Sequence, residues 1–245
     1  MIRTYTHPLL GVLLLAACSG PQEETSTGTP SAVGTTKDTF IASAEPQDVP
    51  IVDDNVFNDT LYVEVTFDLK DGTHMMVARS QRETFEGLQL MHYKARPDSS
   101  AEVIAISTPA YDSWTMLPTF FLPDQREDMV LLVNFGERQS WGQKVIGFGK
   151  GGFTDIGFMD VAVPVTTEED EERAYRLENA GPLARVTGNA KDLRITFATD
   201  SLFLYDDLRG GTELILPASR VEYRIRSGRV FLAIDGKEVE VVRPA

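Results

Sequence analysis

The chain has 245 residues, of which 37 are acidic and 23 are basic, so its formal net charge at neutral pH is −14. A surface of that sign repels phosphate backbones and anionic lipid head groups and favours cationic partners, which excludes nucleic acid as the expected partner. The hydrophobic fraction of 42% is that of ordinary globular proteins, and the length suits one large domain or two small ones. Because Cys18 is the single cysteine, an intrachain disulfide and a thiolate metal cluster are excluded.

The first 17 residues have the organisation of a signal peptide. Residues 9–17 are apolar apart from Gly11, and a polar tract follows Cys18 directly. Such a run is too short for a hydrocarbon layer, which needs about 20 apolar residues to cross. We therefore expect residues 1–17 to be removed from the mature protein.

The sequence Leu15-Ala16-Ala17-Cys18 closes this apolar run. It resembles the lipobox of bacterial lipoproteins, in which the cysteine becomes the first mature residue and carries a diacylglyceryl thioether and an acyl group such as palmitate. The resemblance implies that Cys18 is lipidated and anchors the chain in a bilayer. The next residue is Ser19, not the aspartate that retains such proteins at the inner membrane of enteric bacteria. The resemblance thus implies an outer-membrane lipoprotein that faces either the periplasm or the cell surface.

Residues 18–50 have the composition of a flexible tether. Between Ser19 and Pro50, 17 of 32 residues are Ser, Thr, Gly or Pro, and bulky apolar residues are few. Such a segment cannot bury enough surface to offset the entropy lost on ordering. We expect a disordered linker with a root-mean-square reach of about 30 Å.

Residues 51–165 are predicted to form a β-rich domain. Apolar and polar residues alternate strictly over residues 61–69, which is the period of a half-buried strand. Asp71-Gly72 then favours a tight turn, after which residues 75–78 return antiparallel. Further strands are predicted at residues 88–94, 102–107, 129–135, 145–148 and 156–163.

The next segment, residues 166–181, carries the signals of a connecting helix. Thr166 and Glu169 have the spacing of a capping box, and Gly181-Pro182 supplies a stop. Pairs of oppositely charged residues four apart add support. We expect this helix to separate the β-rich domain from the C-terminal portion.

Residues 182–245 are predicted to form a C-terminal β-meander, within the same domain or a second one. Two-residue turns at 227–228 and 235–236 fix the register of its last three strands. The inner face then holds two rows, Tyr223 with Leu232 and Val239, and Ile225 with Val230 and Val241. The outer face holds Arg224, Phe231 and Glu240 in one row, with Arg226 beside Arg229. The fold class expected for the whole chain is mainly β, an antiparallel sandwich or two packed sheets with one short helix between the halves.

Two sequence patterns are typical of ligand sites, but the residues around each of them do not fit such a site. Gly147, Gly149 and Gly152 match a dinucleotide-binding motif, but β-like sequence follows where that site needs a helix. A glycine-rich β-turn or bulge is the better interpretation, and we expect no nucleotide there. An oxygen-rich stretch before residue 61 lacks the glycine and the terminal glutamate of a calcium loop, so we expect a solvated loop. Its residues are Asp53, Asp54, Asn55, Asn58 and Asp59.

The two histidines of the predicted domain, His74 and His92, fall on neighbouring strands. They lack the spacing of known zinc motifs. If Asp71-Gly72 is a two-residue turn, His74 lies opposite Leu69 on the apolar face as a core residue. A three-residue turn would place it on the outside of the sheet.

The remaining candidate site is aromatic. Residues 111–158 hold 9 of the 22 aromatic residues of the chain and both tryptophans. If exposed, Tyr111, Trp114 and Trp141 are suited to stack on sugars or to anchor a protein partner. If buried, they are part of the core.

These patterns favour a non-enzymatic binding or scaffolding protein of the cell envelope over an enzyme. A nucleophile elbow is missing from the sequence. A hydrolase that acts on glycans through paired carboxylates is the alternative, because 37 acidic residues leave such a pair open. The expected partners are the lipid bilayer, through Cys18, and an envelope protein or glycan. We expect no cofactor, no metal ion and no nucleotide.

Overall fold

The computed structural model describes residues 40–53, 60–81, 87–98, 100–109, 116–124, 126–136, 141–166, 175–189, 191–206 and 212–241. The chain divides into two compact units, residues 1–36 and 37–245, and every described residue belongs to the second unit. The predicted β-rich domain and the predicted C-terminal meander both fall within that unit. Cys18 and the signal peptide lie outside the described residues.

The described part consists mainly of antiparallel β-strands. In chain order they are β1 (Ile51–Val52), β2 (Leu61–Asp68), β3 (His74–Ser80), β4 (Gln89–Ala95), β5 (Ala101–Ile106), β6 (Pro118–Phe121), β7 (Met129–Gly136), β8 (Trp141–Gly149), β9 (Gly152–Met159), β10 (Val161–Thr166), β11 (Tyr175–Glu178), β12 (Ala184–Gly188), β13 (Asp192–Phe197), β14 (Ser201–Asp206), β15 (Thr212–Pro217), β16 (Val221–Arg226), β17 (Arg229–Ile234) and β18 (Lys237–Glu240). Short 3-10 helices lie at Gly181–Leu183 and Ala218–Arg220.

The strands form four sheets. The N-terminal sheet has the order β1-β2-β3-β4-β5, and the central sheet has the order β6-β7-β8-β9. The third sheet is β11-β10-β14-β15, and the C-terminal sheet is β12-β13-β16-β17-β18. Packed antiparallel sheets are the architecture that the sequence predicts, so the predicted fold class, mainly β and sandwich-like, is confirmed.

The central sheet lies between two hydrophobic cores. On β7, Leu131 and Val133 pack into a core shared with the N-terminal sheet. Their neighbours Val130 and Leu132 point the other way, into a second core shared with the third and C-terminal sheets. A strand buried on both faces needs apolar residues at every position. This explains why residues 129–133 of β7 form a continuous apolar run and do not alternate.

The predicted helix over residues 166–181 is wrong at both of its ends. Thr166 ends β10, and β11 pairs antiparallel with it from Thr166↔Tyr175 to Val163↔Glu178. The segment between the two strands, residues 167–174, lies outside the described residues. Each charge pair that favours the helix is worth only about 0.2–0.5 kcal/mol. The pairing of β11 with β10 outweighs these charge pairs, because it satisfies backbone hydrogen-bonding groups at the edge of the third sheet.

The predicted tether is also wrong for residues 40–50, because these residues are bonded to the folded unit. The Ser43 and Gln47 amides donate to carbonyls of the β6 segment at 2.8 Å, and Ala44 accepts from the amide of Val186 at 2.9 Å. Val49 is buried in the core of the N-terminal sheet. The segment gives the edge strand β6 backbone partners. Composition does not reveal this, because the stabilising groups are mainly backbone.

The predicted register of the C-terminal meander is confirmed. Tyr223 pairs with Leu232, which pairs with Val239, and Ile225 pairs with Val230. The outer row is found as predicted, with Arg224 opposite Phe231, Phe231 opposite Glu240, and Arg226 opposite Arg229. Both turns have positive φ at their two central residues, Ser227-Gly228 and Asp235-Gly236, as the tight hairpin turn requires.

Candidate binding groove

The aromatic residues predicted as a contact site are only partly placed by the structure. Tyr111 and Trp114 lie outside the described residues. The backbone of Trp141 begins β8 and pairs with Gly136 of β7. The described part of the structure does not include the Trp141 side chain. Of the five residues in the oxygen-rich stretch before residue 61, Asp53 is exposed and follows β1, and the other four lie outside the described residues.

The two histidines lie on neighbouring strands but on opposite faces of the N-terminal sheet. His74 pairs with Tyr93 and stacks on its ring, whereas His92 pairs with Met75. Successive residues of a strand point to opposite faces. A metal site shared by the two imidazoles is therefore excluded.

The turn before β3 decides the position of His74. The Leu69 amide donates to the Thr73 carbonyl, which closes a three-residue turn with positive φ at Lys70 and Gly72. The two-residue alternative is wrong, and His74 lies on the face opposite to Leu69. That face carries its own buried cluster around Tyr93, so His74 is half-buried instead of exposed.

His92 is held by a short polar chain. The Thr73 hydroxyl donates to Asp71 Oδ1 at 2.6 Å, and its oxygen accepts from His92 Nε2 at 2.8 Å. The ring lies edge-on against Phe148 of the central sheet. Burial lowers the pKa of His92 below its usual value, and the nearby carboxylate of Asp71 opposes this only in part. The lowered pKa favours the neutral imidazole, which connects the turn to the core.

The glycine-rich motif forms a β-hairpin, as the sequence predicts. Gly147 and Gly149 lie in β8, and Gly152 begins β9 with a φ of +89°. A Cβ on Gly149 would come within 1.9 Å of Asp128 Oδ1. The glycines thus provide a tight turn and the close approach of a neighbouring side chain.

An apolar groove of about 410 Å³ lies between the third sheet and the C-terminal sheet. It opens between β15 and β18, the strands that end the order of their sheets. Its volume falls within the range of about 300–1,000 Å³ that is typical of ligand pockets. The two sheets meet in a continuous core elsewhere, so this groove is a place where that core reaches the solvent.

The floor of the groove consists of core residues. Leu204 is buried in the third sheet, and Tyr223 of β16 is only 1% exposed. The Tyr223 hydroxyl donates to the Asp160 carbonyl at 3.4 Å, so the ring presents mainly carbon to the groove. Leu214 and Val239 stand at the mouth and are 37% and 48% exposed. The groove is thus hydrophobic from floor to mouth.

The strand β18 explains why the groove stays open. Its inner-face residues are Lys237 and Val239, followed by Val241 just beyond the strand. Lys237 occupies the inner position opposite Ile234, where an apolar side chain would extend the core. All four residues of β18 are exposed. The predicted register of the meander places Val239 on the inner face. Because Lys237 lies two residues before Val239, it belongs to the same face, and this is the sequence signal that points to the groove.

The charges around the groove are mostly paired. Arg220 binds Asp235 through two hydrogen bonds, which lower the pKa of Asp235 and raise that of Arg220. Glu240 pairs with Arg229 at 3.5 Å. Lys237 makes no ion pair with any described residue. One end of the groove therefore carries the ammonium of Lys237, whose charge also contributes to the lowered pKa of Asp235.

Comparison of the chain with models of protein families, with curated proteins and with solved structures finds no match in any of the three. In the parts of the chain described above, no helix has the length and the apolar character needed to cross a bilayer.

Proposed function

We propose that this protein is an envelope lipoprotein of the outer membrane and that its β-sheet unit is a non-enzymatic binding module. The sequence Leu15-Ala16-Ala17-Cys18 supports the anchor, because it resembles a lipobox. Several acyl chains, each contributing about 0.8 kcal/mol per buried CH₂, hold a soluble unit on a bilayer where one chain would not.

The binding half of the proposal depends on the groove between β15 and β18. It combines a ligand-sized volume with a hydrophobic lining and one charged end, which are the general properties of small-molecule sites. A hydrolase would need a general acid with a raised pKa. Hydrogen bonds from Ser100 and Arg220 lower the pKa values of Asp98 and Asp235, so neither carboxylate is suited to be that general acid.

The anchor is tested by processing and fractionation. Globomycin, which blocks the lipoprotein signal peptidase, should cause an uncleaved precursor to accumulate. A Cys18→Ala variant should leave the membrane fraction. If processing and fractionation are unchanged in both experiments, the lipoprotein proposal is wrong.

The binding module is tested by photocrosslinking in intact cells. A photoreactive residue in place of Val239 stands at the mouth of the groove, and the same residue in place of Val103 on β5 is a matched control, since the two valines are 48% and 47% exposed. A binding module should give a reproducible adduct from position 239 that position 103 does not give. No specific adduct, together with turnover of a polysaccharide panel by the purified protein, would favour the hydrolase alternative.

A further inference from the structure

The groove is polarised along the direction of β18. Three rows cross the inner face of the C-terminal sheet at this edge: Val221-Ile234-Lys237, Tyr223-Leu232-Val239 and Ile225-Val230-Val241. Successive inner residues of a strand are about 7 Å apart. The cation of Lys237 thus stands at one end of the groove, and the two rows beyond it are hydrophobic.

The neighbouring charges leave this polarity intact. Asp235 is bound to Arg220, and Glu240 is bound to Arg229. Asp235 also interacts electrostatically with Lys237, so the Lys237 end holds two cations, Arg220 and Lys237, against one carboxylate and has a net charge of about +1. Asp160 also borders the groove, on the side of the third sheet. Its backbone carbonyl accepts a hydrogen bond from the Tyr223 hydroxyl, which belongs to the row next to that of Lys237. An anionic group would therefore be attracted to the Lys237 end.

We propose, resting on the function proposed above, that the groove binds a single-chain anionic amphiphile. The acyl chain lies against Val239, Leu232 and Leu214, and the carboxylate or phosphate of the head group pairs with the Lys237 ammonium. The hydrophobic floor suits a chain without hydrogen-bonding groups, because the polar groups of a buried peptide would need partners there. Charge complementarity with Lys237 selects an anionic head over a neutral or cationic one.

The test uses the full chain with the Cys18→Ala substitution, so that no acyl group of the protein itself competes. Binding is measured by displacement of cis-parinaric acid, with palmitate, palmitoyl lysophosphatidylglycerol, hexadecanol and hexadecyltrimethylammonium as competitors below their micellar concentrations. Both anionic competitors should displace the probe saturably, whereas the cationic one should bind much more weakly. Palmitate alone would identify a carboxylate head, and the lysophospholipid alone would identify a phosphate head.

Charge reversal tests the role of Lys237. Lys237→Glu should weaken the anionic competitors on the order of tenfold and leave hexadecanol within about twofold. Lys191→Glu, at an exposed lysine that does not line the groove, is the matched control and should change neither. If Lys237→Glu leaves the anionic competitors unchanged, the head group does not lie on Lys237 and the inference is wrong.

A second pair of variants tests the chain site. Val239→Asp should abolish displacement by every acyl competitor, whereas Val103→Asp, at an equally exposed valine of β5, should not. If no amphiphile binds while a photoreactive residue at position 239 captures a protein in cells, this inference fails and the binding module stands. If amphiphiles bind but Cys18→Ala stays in the membrane fraction, the groove assignment stands and the proposed anchor fails.

Discussion

The central sheet and the C-terminal sheet use the same strand geometry in different surroundings. In the central sheet, β7 is buried on both faces over residues 130–134. In the C-terminal sheet, β13 and β16 alternate between residues that face the core and residues that face water. When one face of a strand is exposed to water, the alternation of its sequence specifies the register, because a shift by one residue would expose every apolar side chain. When both faces are buried, the sequence does not alternate and does not specify the register in this way.

This difference predicts opposite tolerance to truncation. Leu131→Ala and Leu132→Ala each remove a buried side chain, one from each core, and each should lower the free energy of unfolding by about 2–5 kcal/mol. Val239→Ala, at the open edge of the C-terminal sheet, should change it by no more than about 0.5 kcal/mol. Urea denaturation measures all three. If only one of the two leucine variants loses stability, the central sheet has only one core face.

The sequence predicts the strand register best where one face of a strand is exposed to water. The turn residues Ser227-Gly228 and Asp235-Gly236 and the alternating residues between them suffice for the register of β16 to β18. The helix at 166–181 fails because its signals are local, whereas the pairing of β10 with β11 depends on which strand lies alongside. The ordered segment 40–50 and the groove depend on contacts between distant parts of the chain. One feature of the groove can be predicted from the sequence: the register of the meander places Lys237 on the inner face of the C-terminal sheet.

The contact between the central and C-terminal sheets gives the next prediction. A Cβ on Gly157 of β9 would come within 2.3 Å of Val230 Cγ2 on β17. Gly157→Ala should therefore destabilise the protein by about 1–3 kcal/mol, the usual range for overpacking. Gly151→Ala is the control, since nothing lies within 4 Å of a Cβ at that position.

A double-mutant cycle separates this clash from a general effect of the substitution. In a Val230→Ala background, Gly157→Ala should cost less than it does in the original protein, because the obstructing methyl group is gone. Equal costs in both backgrounds would mean that the two sheets do not meet at this contact.

An ionisable group on a core face should make stability depend on pH. The pKa of His92 is lowered in the folded protein, mainly by burial, whereas the unfolded chain takes up the proton near its ordinary value of 6.5. The unfolded state then binds more protons, so stability should be full above that value and fall as the pH drops below it. Urea midpoints between about pH 8 and about pH 5 measure the effect. The part due to His92 should disappear in His92→Gln, and an unchanged slope would contradict the burial of this ring.

Charges on the wet face of the C-terminal sheet should matter least. Glu238 pairs with Arg224 at 3.0 Å and also with Arg226, but these side chains remain partly exposed and so are screened by solvent. Glu238→Gln should lower the urea midpoint slightly at low salt, and the difference should vanish near 1 M salt, where the Debye length is about 3 Å. Glu64→Gln, at an exposed glutamate of β2 that has no ion pair among the described residues, should show no salt-dependent difference. A loss at Glu238 as large as that at Leu132 would mean that the outer face of this sheet is covered and that its alternation has another cause.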